Sequence, residues 1–308
     1  MTDPRSDWRL APDDVAPTVL VIGGFLTSPF FYGRLRARLR ALGAAAVIVA
    51  PVWLPDWLLA APRGLGPIVT RAGRTLVRAG EVSAVASRGA PVLIVGHSAG
   101  ALVARLLTSP TPFEDRRLGA SERIGAIVSL GTPHLQGTDV RLGFRGHDAG
   151  RRAAAHLDEW APGATFAPRV GYVSVAADTV VGRPFRPGPQ GISYRSYQLI
   201  LGGAVDPAGE PGDGVVPLAA AILPGSREVV LHGVGHGIFG RLPWYGSEGV
   251  VERWWPVALD AWHAALRARL DADPAGEKAS TGPSRRRSAR ERPHADRRLR
   301  EPVQGTRD

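Results

Sequence analysis

A serine at position 98 stands in a sequence pattern that could make its hydroxyl a nucleophile. The pattern reads GHSAG over residues 96–100, after an apolar run at 92–95 and before an apolar stretch at 98–107. A strand that turns abruptly into a helix leaves no room for side chains beside the serine, and it lifts the hydroxyl above the edge of a sheet. We therefore predict that Ser98 attacks a carbonyl carbon. The alternative is that its hydroxyl only caps the helix.

Two backbone amides are candidates to stabilise the oxyanion that such an attack produces. Ala99 would begin the helix, so its N–H would point toward the oxyanion together with the helix dipole. Phe25 follows Gly23 and Gly24 after the first apolar run, and glycines let the backbone approach a substrate closely. We predict an oxyanion hole made by Phe25 and Ala99. A plain tight turn is the alternative for the glycine loop.

A serine nucleophile needs a general base, and we select His236 from the eight histidines of the chain. Where the serine lies in a GxSxG turn between a strand and a helix, the order along the chain is serine, acid, histidine. This order leaves four histidines as candidates. They are His232, His236, His263 and His294. His236 lies in a glycine-rich loop just after the last predicted strand, at the sheet edge where Ser98 would emerge.

Two aspartates could orient the imidazole of the base. Asp178 follows the fifth predicted strand, whereas Asp213 lies in the string GDGVVP ahead of the last one. We favour Asp213 and keep Asp178 as the alternative, since both lie near the same predicted edge. Either residue could instead serve only as a turn residue.

Four short strings together resemble those of lipases and esterases in the α/β-hydrolase superfamily, over residues 18–270. They read GHSAG at 96–100, GTPH at 131–134, DGVVP at 213–217 and HGVGH at 232–236. The resemblance implies an ester substrate and a triad of Ser98, Asp213 and His236. The separation of 23 residues between acid and histidine is similar to that in small bacterial secreted lipases, and it favours Asp213. The string PWYGS at 243–247 also resembles one in bacterial and plant α/β-hydrolases.

Short β-branched runs alternate with helical stretches, which is typical of a mostly parallel sheet flanked by helices. The predicted strands are 18–22, 46–50, 92–95, 124–130, 170–176 and 228–231, all apolar enough to be buried on both faces. The predicted helices are 30–42, 98–107 and 250–270. The stretches 135–168 and 182–212 exceed ordinary connections and are candidates for a small cap.

Apolar residues near the predicted site indicate a pocket for an acyl chain, although they could equally belong to the core. We expect His97 to point beneath the turn and pack, and His134 either to line the site or to pack in its loop. The candidate substrate-binding residues are Gly24, Leu26, Trp53, Trp57, His97 and His134.

Length and composition bound the remaining possibilities. The 308 residues predict one catalytic domain over 1–270 and a disordered, charged tail over 271–308. No apolar run is long enough to span a membrane, and the polar start is unlike a signal peptide, so we expect a cytoplasmic protein. The net charge is +10. Nearly all of the cationic side chains are arginines, and the surplus of positive charge is spread along the chain. We therefore expect no nucleic-acid partner, and only transient contact with a lipid surface.

These observations predict a hydrolase that cleaves carboxylic esters or lipids through an acyl-enzyme, with no metal and no cofactor. The chain contains no cysteine, which excludes a cysteine nucleophile and thiolate metal sites. An acyltransferase or thioesterase would use the same triad. A binding protein without activity is the alternative of a different class.

Overall fold

A sheet of six parallel strands forms the centre of the computed structural model, which describes residues 7–136, 146–238 and 240–272. Its strands are β1 (Thr18–Ile22), β2 (Ala46–Val49), β3 (Val92–His97), β4 (Ile124–Leu130), β5 (Gly171–Ala177) and β8 (Arg227–Leu231). Their order across the sheet is β2-β1-β3-β4-β5-β8. Two short strands, β6 (Val180–Val181) and β7 (Pro211–Gly212), form a separate antiparallel pair.

Helices cover both faces of this sheet. They are α1 (Gly33–Ala41), α2 (Leu54–Arg63), α3 (Gly66–Ala86), α4 (Ala99–Leu106), α5 (Gly146–Trp160), α6 (Pro189–Leu201), α7 (Leu218–Ala221) and α8 (Val251–Ala272). Because side chains alternate along a strand, β1 contributes to two cores. Val19 and Val21 pack in the cluster that contains α1 and α8, whereas Leu20 and Ile22 pack in the cluster that contains α2 to α5.

The predicted strands are present, but one prediction about their burial is wrong. Every residue of β1, β3 and β4 is buried, as expected for strands covered on both faces. In β8 only Leu231 is buried, and in β2 only Val47 is. These two strands end the sheet, so each has a single neighbour and the helices cover it incompletely.

The helices differ more from the sequence-based predictions than the strands do. The stretch 30–42 is divided into a 3-10 turn, Pro29–Tyr32, and the helix α1. Helices α2 and α3 were not predicted from the sequence. Two prolines lower the helix propensity of α2, and three glycines and a proline lower that of α3. Helix α3 is stabilised by apolar residues at helical spacing that are buried in the sheet core.

The two stretches considered for a cap contain a helix each. Helix α5 packs against α2 and α4, while α6 lies beside the short β6 and β7 pair. Helix α8 continues to Ala272, and the remainder of the predicted tail, 273–308, lies outside the described residues. Among the helices that the structure describes, none combines the length and the apolar character needed to cross a membrane.

Candidate active site

The turn that carries Ser98 joins β3 directly to α4. Ser98 has φ of +52°, a left-handed conformation that is strained for a residue with a side chain. A Cβ on Gly96 would lie 2.4 Å from Ala101 Cα, and one on Gly100 would lie 2.3 Å from the Ile22 carbonyl oxygen. The two glycines therefore allow strand and helix to meet closely enough to present the serine at the sheet edge.

The imidazole of His236 lies against the Ser98 hydroxyl. His236 Nε2 is 3.1 Å from Ser98 Oγ, and His236 Nδ1 is 2.7 Å from Asp213 Oδ2. A carboxylate can only accept, so Nδ1 carries the proton and Nε2 presents a lone pair to the serine hydroxyl. The geometry thus orients the ring for taking a proton from Ser98.

The side chain of Asp213 is 1% exposed, and its carboxylate is saturated with donors. Its Oδ1 accepts from the Val215 and Val216 amides, and its Oδ2 accepts from the Tyr245 hydroxyl at 2.9 Å as well as from His236. Burial alone would raise the pKa of this carboxyl. The nearby His236 and the backbone hydrogen bonds outweigh burial and hold the pKa below its ordinary value, so the group is ionised.

Asp178, the alternative acid, belongs to a different pair. Its Oδ1 lies 2.8 Å from Nδ1 of His232, whose side chain is 79% exposed. The structure therefore gives His236 and His232 one aspartate each, and the aspartate that contacts His236 is Asp213.

The glycine loop after β1 lies against the Ser98 turn. A Cβ on Gly24 would be 2.8 Å from Ser98 Cβ, so only glycine allows this approach. The Gly24 N–H donates to the Tyr32 hydroxyl at 2.9 Å. Phe25 and Ala99, the predicted oxyanion donors, both line the cavity in front of Ser98. Ala99 is the first residue of α4, where amides have no partner within the helix.

A cavity of about 230 Å³ opens in front of Ser98 and His236. Its other described lining residues are mostly apolar: Phe25, Trp57, Ala60, Leu65, Ala99, Leu102, Pro133, Gln136, Gly150, Ile200, Val215 and Val216. Trp57, 1% exposed, is the predicted substrate-binding residue that reaches this lining. Such a surface suits an apolar chain.

The other predicted substrate-binding residues lie elsewhere. Leu26 and Trp53 are exposed and Gly24 lies against Ser98, and none of the three is among the lining residues. His134 is buried, with Nδ1 3.3 Å from Arg105 Nη1. Burial and the Arg105 charge lower the pKa of His134 well below its ordinary value, so its ring is neutral. His97 is also buried, as expected for a residue that packs beneath the turn.

Three residues that support the site were not selected from the sequence. Thr132 Oγ1 donates to the Ser98 carbonyl oxygen. A side chain on Gly131 would collide with the Asp213 carboxylate, since its Cβ would lie 2.6 Å from Oδ2. Tyr245 donates to that carboxylate. The strings GTPH and PWYGS contain these residues, so they were a signal that could have identified them.

Comparison with solved structures identifies the fold. A lipase from Bacillus licheniformis in its mature form matches with a TM-score of 0.52 and 14% identity, over 82% of this chain and 94% of the lipase. The chain has the α/β-hydrolase fold. A metagenomic carboxyl esterase matches with a TM-score of 0.44 and 19% identity, over 83% of this chain and 76% of the esterase. A monoacylglycerol lipase from Paleococcus ferrophilus matches with a TM-score of 0.37 and 14% identity, over 82% of this chain and 96% of the lipase. The assignment rests on the first comparison. No protein-family model and no curated protein matches the sequence.

The α/β-hydrolase fold explains why distant residues meet at this edge of the sheet. In this fold the nucleophile follows a central strand at a sharp turn, and the acid and histidine come later in the chain. Ser98 follows β3, Asp213 follows β7, and His236 follows β8. The mostly parallel sheet flanked by helices that the sequence predicted is confirmed.

Proposed function

We propose that this protein is a serine hydrolase that cleaves carboxylic esters, with Ser98 as nucleophile, His236 as general base and Asp213 as the orienting acid. The observation that carries the proposal is the continuous line of hydrogen bonds from the Asp213 carboxylate through the His236 ring to the Ser98 hydroxyl. A base in contact with an alcohol, itself held by an acid, is the arrangement that activates serine for attack.

In the first half of the reaction, Ser98 Oγ attacks the ester carbonyl carbon while its proton passes to His236 Nε2. The buried Asp213 carboxylate stabilises the resulting imidazolium. The Phe25 and Ala99 amides receive the oxyanion, and each such donor contributes roughly 3 kcal/mol to transition-state stabilisation. As the tetrahedral intermediate collapses, the bond to the alcohol breaks, and His236 gives its proton to the leaving oxygen. The acyl group is then bound to Ser98.

In the second half, water attacks the acyl-enzyme. His236 takes one proton from that water, and the carbon–oxygen bond to Ser98 breaks as the proton returns to the serine. The products are a carboxylic acid and the free enzyme. The same residues thus act twice, and no cofactor enters either step.

The cavity supports an uncharged, apolar acyl group as the part of the substrate that enters the protein. Among its described lining residues there is no Lys, Arg, Asp or Glu, and the walls beside Ser98 are formed largely by aromatic and aliphatic side chains. Transfer of a CH₂ group from water to such a surface is favourable by about 0.8 kcal/mol. The value of kcat/KM should therefore rise with the length of the acyl chain until the cavity is filled.

Replacing the nucleophile tests the proposal. We expect Ser98→Ala to lower kcat on nitrophenyl esters at least about 10⁴-fold and to abolish covalent labelling by a fluorophosphonate. Ser109→Ala is the matched control, because Ser109 also contacts a histidine, His156, at 2.9 Å but does not line the cavity. Retained turnover in purified Ser98→Ala would falsify the proposal.

The identity of the products distinguishes hydrolysis from acyl transfer. We expect free acid to be the main product even when alcohols or thiols are added, since the proposed acceptor is water. A set of nitrophenyl esters of increasing acyl length then shows how much of the chain the cavity accepts. Ester products with the added alcohol would identify a transferase that uses the same three residues.

A further inference from the structure

His97, the residue before the nucleophile, takes no part in the proposed proton transfers, yet its ring lies between two catalytic loops. The ring is 3% exposed and packs against the rings of Tyr32, Trp244 and His236, with centroids 6.0, 5.3 and 5.0 Å away. His97 is not among the residues that line the cavity. It therefore contacts the catalytic segments from behind, on the side away from the substrate.

The proton positions on the His97 ring follow from its two partners. Nε2 lies 3.1 Å from the His236 carbonyl oxygen, which can only accept, so Nε2 carries a proton. Burial, followed by the nearby His236, lowers the pKa of His97 to about 3, so the ring is neutral and Nδ1 is an acceptor. The Tyr32 hydroxyl, 2.9 Å from Nδ1, must then be the donor. Burial raises the pKa of Tyr32 to about 12, so this hydroxyl keeps its proton.

The chain of hydrogen bonds extends beyond Tyr32 to the glycine loop. The Tyr32 oxygen accepts from the Gly24 N–H, and Thr27 Oγ1 donates to the Gly24 carbonyl oxygen. One line of bonds thus runs from Gly24 through Tyr32 and His97 to the backbone of His236. Its first member precedes Phe25, and its last member is the proposed base.

We infer that His97 is a positioning residue, which together with Tyr32 fixes the glycine loop and the histidine loop at the distance from each other that the reaction requires. The inference rests on the proposed function. Small misplacements of catalytic groups are costly, and an error of 1 Å can lower the rate about 100-fold. Since neither side chain contacts the substrate cavity, loosening this line should lower kcat and leave KM unchanged.

A comparison of two substitutions of similar size isolates the bond between Tyr32 and His97. His97→Asn keeps an acceptor near the Nδ1 position, whereas His97→Leu has a similar shape and no acceptor. We expect His97→Asn to retain a kcat about tenfold higher than His97→Leu, with equal KM. In the presence of Tyr32→Phe, which removes the donor, we expect the two substitutions at position 97 to give the same kcat. This loss of the difference is the coupling that a purely structural role would not produce.

Two controls make the outcome unambiguous. Tyr172→Phe removes another buried tyrosine hydroxyl, one that is hydrogen-bonded near the start of β5 at the opposite end of the sheet, and we expect it to leave kcat unchanged. Thermal unfolding confirms that the compared variants are folded at the assay temperature. Labelling of wild type by a fluorophosphonate at Ser98 tests the proposed function separately. If wild type is labelled but His97→Asn and His97→Leu have the same kcat, the inference on His97 is wrong and the proposed function stands. The same conclusion follows if the two differ in kcat equally with and without Tyr32→Phe. If wild type is neither labelled nor active, both are wrong.

Discussion

Among the described residues, two aspartate–histidine pairs lie near the sheet edge that holds the proposed active site, and their surroundings distinguish them. Asp213 and His236 are enclosed, and the side chains are 1% and 11% exposed. His232, the partner of Asp178, is open to solvent. Water screens the exposed pair, whereas the enclosed pair keeps its full electrostatic interaction. A difference in burial thus separates a pair suited to catalysis from one at the surface.

Neutralising each aspartate tests this contrast. We expect Asp213→Asn to lower kcat by about 10³- to 10⁴-fold, because an amide favours the wrong tautomer of His236 and cannot stabilise the imidazolium. Asp178→Asn should leave kcat within about twofold. Steady-state kinetics on one nitrophenyl ester measures both. Equal losses in the two variants would contradict the choice of Asp213.

Two buried histidines should make the stability of the protein depend on pH. The pKa of His97 is about 3 in the folded protein against an ordinary value of 6.5, and that of His134 is also lowered by burial. Below pH 6.5 the unfolded chain binds protons that the folded protein excludes, so stability is lost as the pH falls from 6.5 toward 3. Each such histidine contributes up to about 1.4 kcal/mol per pH unit.

Urea unfolding between pH 7.5 and 4.5 measures this dependence. We expect the free energy of unfolding to fall with decreasing pH, and His134→Gln, which removes one of the two groups, to have a smaller slope than wild type. The range stops above the region in which Asp213, whose pKa is lowered, would titrate. Identical slopes in the two proteins would show that His134 is not the source.

The sequence was sufficient to select residues of the site whose neighbours in the chain form a motif. Ser98 lies between two glycines, and His236 and Asp213 lie in strings typical of lipases, so the order of amino acids was enough to propose each of them, with Asp178 as the alternative acid. The link between Tyr32 and His97 could not be found in this way, because it depends on how a turn before α1 packs against the end of β3. Contacts between residues 65 apart leave no periodic signal in the sequence.

At the scale of the elements, the close packing of β3, α4 and β1 determines where Ser98, the proposed nucleophile, lies. Gly100 on α4 touches the backbone at the end of β1, and Gly96 in β3 touches Ala101 on α4. The apolar runs of these strands predicted their position, because full burial requires a continuous apolar sequence. The edge strands β2 and β8 were the exceptions, since their sequences could not reveal that each has one neighbour.

The same substitution should have opposite effects in two helices. Gly100→Ala places a Cβ 2.3 Å from the Ile22 carbonyl oxygen, so we expect reduced activity and a destabilisation of more than about 2 kcal/mol. Gly80→Ala in α3 meets nothing within 4 Å and should stabilise the protein by about 0.5–1 kcal/mol. Chemical denaturation together with an activity assay tests the pair. A neutral Gly100→Ala would mean that α4 can move away from β1 at little cost.

At the scale of the whole molecule, one arginine connects the last helix to the far end of the sheet. Arg269 on α8 is 9% exposed, and its guanidinium donates to backbone carbonyls of four residues. They are Ser121, Glu122, Ile124 and Arg169, which lie at or before the starts of β4 and β5. The proposed active site lies at the opposite end of these strands, so we expect this contact to serve the fold and not the chemistry.

Removing this guanidinium should affect stability without affecting catalysis. We expect Arg269→Met to destabilise the protein by about 3 kcal/mol, since it leaves one buried and three partly buried carbonyls without this donor, and to leave kcat of the folded fraction unchanged. Arg267→Met, two residues earlier, loses only an exposed ion pair with Asp13 and should cost less than about 1 kcal/mol. Urea midpoints of the two variants provide the comparison.

Asp213 and His236 are joined twice, since the His236 amide also donates to the Asp213 carbonyl oxygen. Tyr245, which donates to the carboxylate, follows shortly after in the chain. These parts all lie in one stretch, 213–245, while the serine comes from 138 residues before the histidine. If segments were exchanged between proteins of this fold, this stretch would transfer the acid, the histidine and the tyrosine of the proposed site together into the recipient protein. A crossover between residues 213 and 236 would take the carboxylate from one parent protein and the imidazole from the other. Their hydrogen bond would then depend on two backbones that do not come from the same protein.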